Sequence, residues 1–187
     1  MYAHRYGRSF TTAASACSGS VHLWSLSERK YDRSDVWNVV SHEIGHLVAE
    51  RMLATTDPGQ PVTALATPGV VKARKEYIAA CKEDTKRLRA KIVQAVEGSG
   101  YVPSDLREAG KWHKAGIIGV TSYGAETWAK RGSLAEDFAE AYSLFVMGEP
   151  RFKESGSARY AWFVKHFGYE PKFQEGTSPW RKAYLAG

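Results

Sequence analysis

Residues 42–46 read His-Glu-Ile-Gly-His, and these side chains suggest chemistry more directly than any others in the chain. On an α-helix, positions i and i+4 lie on one face, one turn apart, so His42 and His46 could bind one zinc ion. Glu43 would project beside the metal, where a carboxylate can accept a proton from an activated water. The pentapeptide therefore predicts a hydrolytic zinc centre. The competing interpretation is an amphipathic helix with two surface histidines.

A catalytic zinc centre of this type needs a third protein ligand and one open position. The metzincin pattern would place a histidine at position 52, where this chain has methionine, so that subtype is excluded. The remaining histidines stand outside any second ligand motif and are interpreted as surface or packing residues: His4, His22, His113 and His166. A residue of another type is therefore the better candidate for the third ligand.

An acidic pair on a second predicted helix, within residues 133–146, supplies the candidate. Glu136 and Glu140 are four residues apart and so share a helix face. Two acids on an otherwise core-forming helix are costly unless a cation meets them. We therefore expect Glu136 to bind the metal and Glu140 to orient a ligand histidine through its other ring nitrogen. A capping box with Ser133 is an alternative explanation for Glu136, but it does not explain Glu140.

The His-Glu-Ile-Gly-His pentapeptide and the Glu-Asp-Phe-Ala-Glu-Ala-Tyr segment at 136–142 together resemble the gluzincin metallopeptidases. The resemblance is closest to the branch that contains the catalytic domain of anthrax lethal factor and the small clostridial Pro-Pro endopeptidase, and related domains occur in phage and bacterial toxin-like proteins. It implies that Glu136 is the third zinc ligand and that Glu140 supports a ligand from the outer shell. It also implies an oxyanion-stabilising tyrosine, Tyr123 in Thr-Ser-Tyr-Gly, with Tyr142 as the alternative.

The fold class expected from this resemblance is α+β, a zincin-like domain with a small mixed sheet. One helix would carry the HExxH motif and a second helix the glutamate ligand. Polar and apolar residues alternate along 20–25, which predicts a strand, either an edge strand before the active-site helix or a plain core strand, and 115–121 is a second candidate strand. Gly45 in mid-helix predicts either a close approach by another backbone or simple packing.

The length predicts a single domain, 1–187, with an insertion at about 57–114 that contains a long basic amphipathic helix at about 70–97.

The charge balance is basic, with 26 Lys and Arg against 20 Asp and Glu. Much of the positive charge falls in the predicted helix at about 70–97, which is typical of a solvated surface, with a nucleic-acid or anionic-membrane patch as the alternative. No apolar run approaches membrane-spanning length, and the N-terminus lacks the apolar segment of a signal peptide. These features predict a cytoplasmic protein or a domain of a larger phage-associated or secreted one. Cys17 and Cys81 are predicted to be free thiols, with a single disulfide bridge as the alternative.

The sequence as a whole predicts a zinc-dependent endopeptidase acting on a protein or peptide substrate. His42, His46 and Glu136 would hold Zn²⁺, Glu43 would serve as general base, and Tyr123 would stabilise the oxyanion. Three alternatives stay open. The first is a structural zinc module, phage- or toxin-associated, without protease activity. The second is a DNA-associated SprT-like metalloprotease, although that family needs a further histidine ligand downstream. The third is a nucleic-acid binder that uses the basic helix.

Overall fold

The computed structural model describes residues 14–17, 20–23, 33–56, 64–99, 120 and 134–172. Two strands and five helices run through these residues: β1 (Ala14–Cys17), β2 (Ser20–Leu23), α1 (Arg33–Leu53), α2 (Pro68–Ser99), α3 (Ala135–Val146), α4 (Pro150–Ser155) and α5 (Ser157–Phe167). None of these helices is both long enough and apolar enough to cross a membrane.

The predicted α+β architecture with a small mixed sheet is wrong. The described part of the chain is predominantly helical, and its two strands pair only with each other, antiparallel, with Ala14 opposite Leu23 and Cys17 opposite Ser20. A mixed sheet contains both parallel and antiparallel pairs and therefore at least three strands. Alternation along 20–25 indicates an extended segment but not its partners, and here the partner is the neighbouring strand. Of the second candidate strand, 115–121, only Val120 is described, in a bend.

Helices, rather than a sheet, close the hydrophobic core. The rings of Phe138 and Phe145 from α3 lie 5.2 and 5.1 Å from that of Phe163 on α5, measured between centroids. Tyr77 of α2 completes the cluster, with its ring 5.0 Å from that of Phe138. Such offset and tilted pairs add to the free energy gained from burying the rings themselves. Phe167 is partly buried against this core, and four further aromatic residues of the C-terminal part are buried in it: Phe152, Tyr160, Trp162 and Phe163.

Helix α2 matches the predicted basic helix and begins two residues earlier. Its first turn is closed by Thr67, whose hydroxyl accepts a hydrogen bond from the Val70 N–H at 3.3 Å. The apolar side of this helix is formed by Ala73, Tyr77 and Cys81, which face the core, whereas Val71 is 40% exposed. Cys81 is a free, buried thiol, as predicted. The helix therefore belongs to the core on one side, and the boundaries of an insertion at 57–114 stay a prediction.

Helices α1 and α3 cross at Gly45. A Cβ atom on Gly45 would lie 2.8 Å from the Cα of Ala139, closer than real Cβ atoms come, and 3.1 Å from its carbonyl oxygen, which is also tight. The missing side chain therefore lets the two backbones touch, and it confirms the close approach that a mid-helix glycine predicts. This contact sets the distance between the histidines of α1 and the acids of α3.

Candidate metal centre

Three buried side chains from α1 and α3 converge beside the helix crossing, within one turn of Gly45 and Ala139. The Nε2 atoms of His42 and His46 are 3.1 Å apart. The Oε2 atom of Glu136 lies 3.2 Å from the first nitrogen and 3.5 Å from the second. One oxygen and two nitrogens thus form a nearly equilateral triangle, the residues that the sequence predicted as metal ligands.

The size of this triangle suits a small tetrahedral ion. Zinc binds imidazole nitrogen and carboxylate oxygen at about 2.0–2.2 Å, and tetrahedral angles then separate any two ligand atoms by roughly 3.3–3.6 Å. The observed edges of 3.1, 3.2 and 3.5 Å need little adjustment to reach that geometry. Two imidazoles and one carboxylate are also the ligand set of several catalytic zinc sites. His42, His46 and Glu136 can therefore hold a divalent metal ion without rebuilding the helices.

Glu140 occupies the outer-shell position that its spacing predicts. Its Oε1 atom lies 2.8 Å from Nδ1 of His42, the ring nitrogen that points away from the triangle. A neutral His42 would donate its Nδ1–H to this carboxylate, which leaves the Nε2 lone pair facing the other ligands. Glu140 thus fixes both the tautomer and the ring orientation of His42.

Charge explains why two acids and two histidines tolerate burial together. Burial alone would lower the pKa of His42, but hydrogen bonds with Glu136 and Glu140 outweigh it and raise that pKa to about 10. Burial would raise the pKa of Glu136, but its hydrogen bonds with His42 and His46 lower it to about 2. The carboxylate therefore stays ionised and needs a cation beside it, either a protonated imidazole or a metal ion.

Glu43 lies on the same helix next to His42 and is only 8% exposed. Burial raises the pKa of this carboxyl group, and the positive charge of His42 and then of His46 opposes the shift. A carboxylate with a raised pKa is a better proton acceptor near neutral pH. The structure thus keeps Glu43 within the electrostatic reach of the ligand triangle.

The start of α3 argues against a purely structural role for Glu136. Leu134, not Ser133, is the N-cap residue, and its own side chain makes no capping hydrogen bond. The carboxylate of Glu136 turns instead towards the two imidazoles, which the capping-box interpretation does not explain. One and two turns further along, Ala139 and Ser143 continue the face that meets α1, and the Ser143 hydroxyl lies 2.7 Å from that of Ser41. This serine pair was not predicted from the sequence, because two serines carry no distinguishing spacing signal.

The remaining predicted residues have different outcomes. Tyr123 lies outside the described residues. Tyr142, its alternative, packs its ring against Phe138, Phe163 and Phe167 in the aromatic cluster.

The other histidines give no fourth candidate among the described side chains. His166 stacks on Trp162 and lies 3.1 Å from a Glu76 oxygen, as expected of a packing residue. His4 and His113 lie outside the described residues, and so does the side chain of His22. The cluster of potential metal ligands found in the described part of the chain is the triangle itself.

A second buried polar cluster contacts α3 through Asp137, and no sequence motif marks it. Arg159 of α5 stands between Asp84 of α2 and Asp137 of α3, and all three side chains are 2% exposed or less. The signal that points to it is subtle. Asp84 continues the buried stripe of Tyr77 and Cys81 at helical spacing, so a charge stands where an apolar residue is expected.

Comparison with protein-family models, with curated proteins and with solved structures finds no match to this chain. The functional argument therefore depends on the side chains and their geometry.

Proposed function

We propose that this protein is a zinc-dependent peptidase whose metal ligands are His42, His46 and Glu136 and whose general base is Glu43. The observation that carries the proposal is the ligand triangle, with edges of 3.1–3.5 Å, built next to a buried glutamate on the same helix. A divalent metal bound there would supply a Lewis acid that polarises a carbonyl and lowers the pKa of a water to near neutrality.

The chain's own residues have distinct tasks in this proposal. His42 and His46 donate neutral nitrogen lone pairs, and Glu140 keeps His42 in the required tautomer through the 2.8 Å contact with its Nδ1. Glu43 accepts a proton from the attacking water at its carboxylate and passes it to the nitrogen of the departing amine. Tyr123 is proposed to donate its phenolic hydrogen to the developing oxyanion.

The motif-level resemblance to gluzincin peptidases supports this proposal, and the three proposed ligands and the proposed base all lie on helices α1 and α3. The protein and peptide substrate class follows from that resemblance. An extended substrate would have to reach Glu43 along α1, where Ile44, the next residue, is 37% exposed.

Metal binding is tested first, because the rest depends on it. Zinc affinity of the wild type is measured by competition with a chromophoric chelator and compared with that of Glu136→Ala. We expect the wild type to bind one zinc per chain. Glu136→Ala should lose more zinc affinity than the roughly 10–100-fold that is typical when a residue supporting a ligand is replaced. Glu154→Ala, an exposed acid on α4, is the matched control and should bind like the wild type. Equal affinity in both variants would assign the third ligand to another residue.

Peptidase activity is tested with a diverse peptide library, read by mass spectrometry. Glu43→Gln should bind zinc normally and abolish cleavage, since the amide cannot accept the proton. Glu50→Gln removes the same charge from the same helix outside the motif and should cleave like the wild type. Cleavage retained by Glu43→Gln would remove this residue from the mechanism.

A structural zinc site is the second candidate, and the burial of the ligands favours it. His42, His46 and Glu136 are 5%, 8% and 1% exposed, as in a site that ties two helices together. Structural zinc sites usually have four protein ligands, whereas the described residues provide three. This alternative predicts bound zinc, no cleavage by wild type, and cooperative unfolding when the metal is removed with a chelator.

A further inference from the structure

The buried ion cluster behind α3 has no part in the proposed chemistry. We define it as the Arg159 network, made of Tyr77 and Asp84 from α2, Asp137 from α3 and Arg159 from α5. The Arg159 Nε atom lies 3.1 Å from Oδ2 of Asp137, and its Nη1 atom lies 3.3 Å from Oδ2 of Asp84. One guanidinium thus joins α3 to α2 across the core.

Asp137 is held from several directions at once. Besides the guanidinium, its Oδ2 atom accepts a hydrogen bond from the Tyr77 hydroxyl at 3.1 Å. Its Oδ1 atom accepts one from the backbone N–H of Val120 at 3.0 Å. The side chain is fully buried. These donors come from three separate segments, so the carboxylate has little freedom to shift along or around the axis of α3.

The neighbouring residue in sequence is Glu136, the proposed third metal ligand. Successive residues of a helix are fixed relative to one another, so whatever fixes the side chain of Asp137 also fixes the rotation of Glu136 about the helix axis. A carboxylate roughly 5–6 Å from that axis moves by about 1 Å when the helix turns by about 10°. Metal–ligand distances tolerate only about 0.2 Å. Small rotations of α3 would therefore open the ligand triangle.

We infer that the Arg159 network is a positioning device for the metal centre, in which Arg159 and Asp137 hold α3 at the rotation that aims Glu136 at His42 and His46. This inference rests on the proposed metal site. In this view the Arg159 network, which does not contact the metal, determines how precisely the metal ligands are placed.

Asp84 supplies a natural control because it shares the same guanidinium without touching α3. Its carboxylate also accepts hydrogen bonds from the backbone N–H groups of Ala158 and Arg159, at 2.8 and 3.1 Å, and so caps the start of α5. Asp84→Asn therefore weakens the same buried network, whereas Asp137→Asn weakens its link to α3. The two variants change the same functional group at either end of one arginine.

The test is Co²⁺ binding by the purified full chain, followed through the visible absorption of the bound ion, whose band positions report on coordination geometry. Urea unfolding of the same samples gives their stability. We expect Asp137→Asn to bind Co²⁺ about 10–100-fold more weakly and to shift the visible bands. Asp84→Asn should lose a comparable amount of stability and keep the wild-type affinity and spectrum. Arg159→Lys, which keeps the charge but cannot bridge both carboxylates, should behave like Asp137→Asn.

Each other outcome decides against the inference. Wild-type Co²⁺ affinity and spectrum in folded Asp137→Asn would overturn it and leave the proposed peptidase intact. The same conclusion would follow if Asp84→Asn disturbed the spectrum equally, or if neither Asp137→Asn nor Arg159→Lys folded, since the network would then serve folding alone. Failure of the wild type to bind Co²⁺ or Zn²⁺ would instead remove the proposed metal site itself.

Discussion

Helix α3 presents two buried acids to two different kinds of cation. Glu136 faces the imidazoles of His42 and His46, while Asp137, the next residue, faces the guanidinium of Arg159. An imidazole can give up its proton and then bind a metal, whereas a guanidinium keeps its charge at every relevant pH. The positive charge beside Glu136 is therefore exchangeable, and the one beside Asp137 is permanent. Burial alone does not distinguish a site from a structural ion pair, but the nature of the cation does.

The largest expected effect concerns Arg159, whose positive charge beside Asp137 is permanent. Arg159→Met leaves two buried carboxylates without their cation and should lower the free energy of unfolding by about 3–5 kcal/mol. Urea denaturation followed by circular dichroism measures this. Arg87→Met is the matched control, because Arg87 is 48% exposed and pairs with Glu83 on the surface. Its loss should stay below about 1 kcal/mol. Similar losses in both variants would show that the buried pair contributes no more than a surface one.

Substitutions beside Glu136, where the positive charge is exchangeable, should change mainly the affinity for metal. Glu140→Gln replaces the carboxylate that orients His42 with an amide of the same shape, so the imidazole is held less firmly in its ligand tautomer. Zinc affinity should fall by about 10–100-fold with little change in the stability of the chelator-treated protein. Competition with a chromophoric chelator gives the affinity, and Glu154→Gln on α4 serves as control. Unchanged affinity would mean that Glu140 does not orient the ligand.

The helix crossing itself gives the next prediction. Gly45→Ala places a Cβ atom 2.8 Å from the Ala139 backbone, so α1 and α3 must separate by a few tenths of an ångström or more. We expect a stability loss of about 1–3 kcal/mol and weaker zinc binding, since the ligands divide between these helices. Gly69→Ala near the start of α2 makes the same change with its Cβ 3.8 Å from the nearest atom, the Thr67 hydroxyl oxygen. It should be neutral or slightly stabilising. Equal effects would place the cause in helix propensity, not in the crossing.

The two sides of α3 also differ in how far sequence alone predicts them. The spacing of His42 and His46, and of Glu136 and Glu140, is local, and a helix converts it directly into a shared face. The prediction that the two helices meet came from chemical complementarity, which the structure bears out geometrically. Arg159 gave no local signal, because its partners lie 75 and 22 positions away in the sequence. A buried arginine is recognisable only once the helices that surround it are placed.

The fold class was predicted wrongly for the same reason, because contacts between distant segments leave no local signal in the sequence. Alternation along residues 20–25 is a local property, and the chain does form β2 there. Which strands pair, and whether they pair parallel or antiparallel, depends on contacts between distant segments. The expectation of a mixed sheet came from the resemblance and not from these residues. Phe138 and Phe145 of α3, by contrast, are seven residues apart and so share one helix face by local spacing alone, and both are fully buried.

The smallest expected effect is the change of stability with pH that arises from His42 and Glu136. For each of these groups the free energy of unfolding changes by at most about 1.4 kcal/mol per pH unit. In protein stripped of metal, the pKa of His42 is raised from 6.5 to about 10, so its contribution to stability is complete below pH 6.5 and is lost as the pH rises through 10. The pKa of Glu136 is lowered from 4.5 to about 2, so its contribution is complete above pH 4.5 and is lost as the pH falls through 2. Stability from this pair should therefore peak between pH 4.5 and 6.5.

Bound metal should oppose the loss of stability that the metal-free protein shows as the pH rises. Binding requires neutral imidazoles and so releases protons, which makes zinc affinity rise with pH where the stripped protein loses stability. Thermal unfolding from pH 5 to 9, with and without saturating zinc, should give curves that diverge as the pH increases. His42→Gln should remove both the alkaline decline of the stripped protein and the divergence, while the Arg159 network, whose guanidinium does not titrate here, contributes to neither. Parallel curves would show that zinc and protons do not compete for His42, and the contrast between an exchangeable and a permanent cation on α3 would fail.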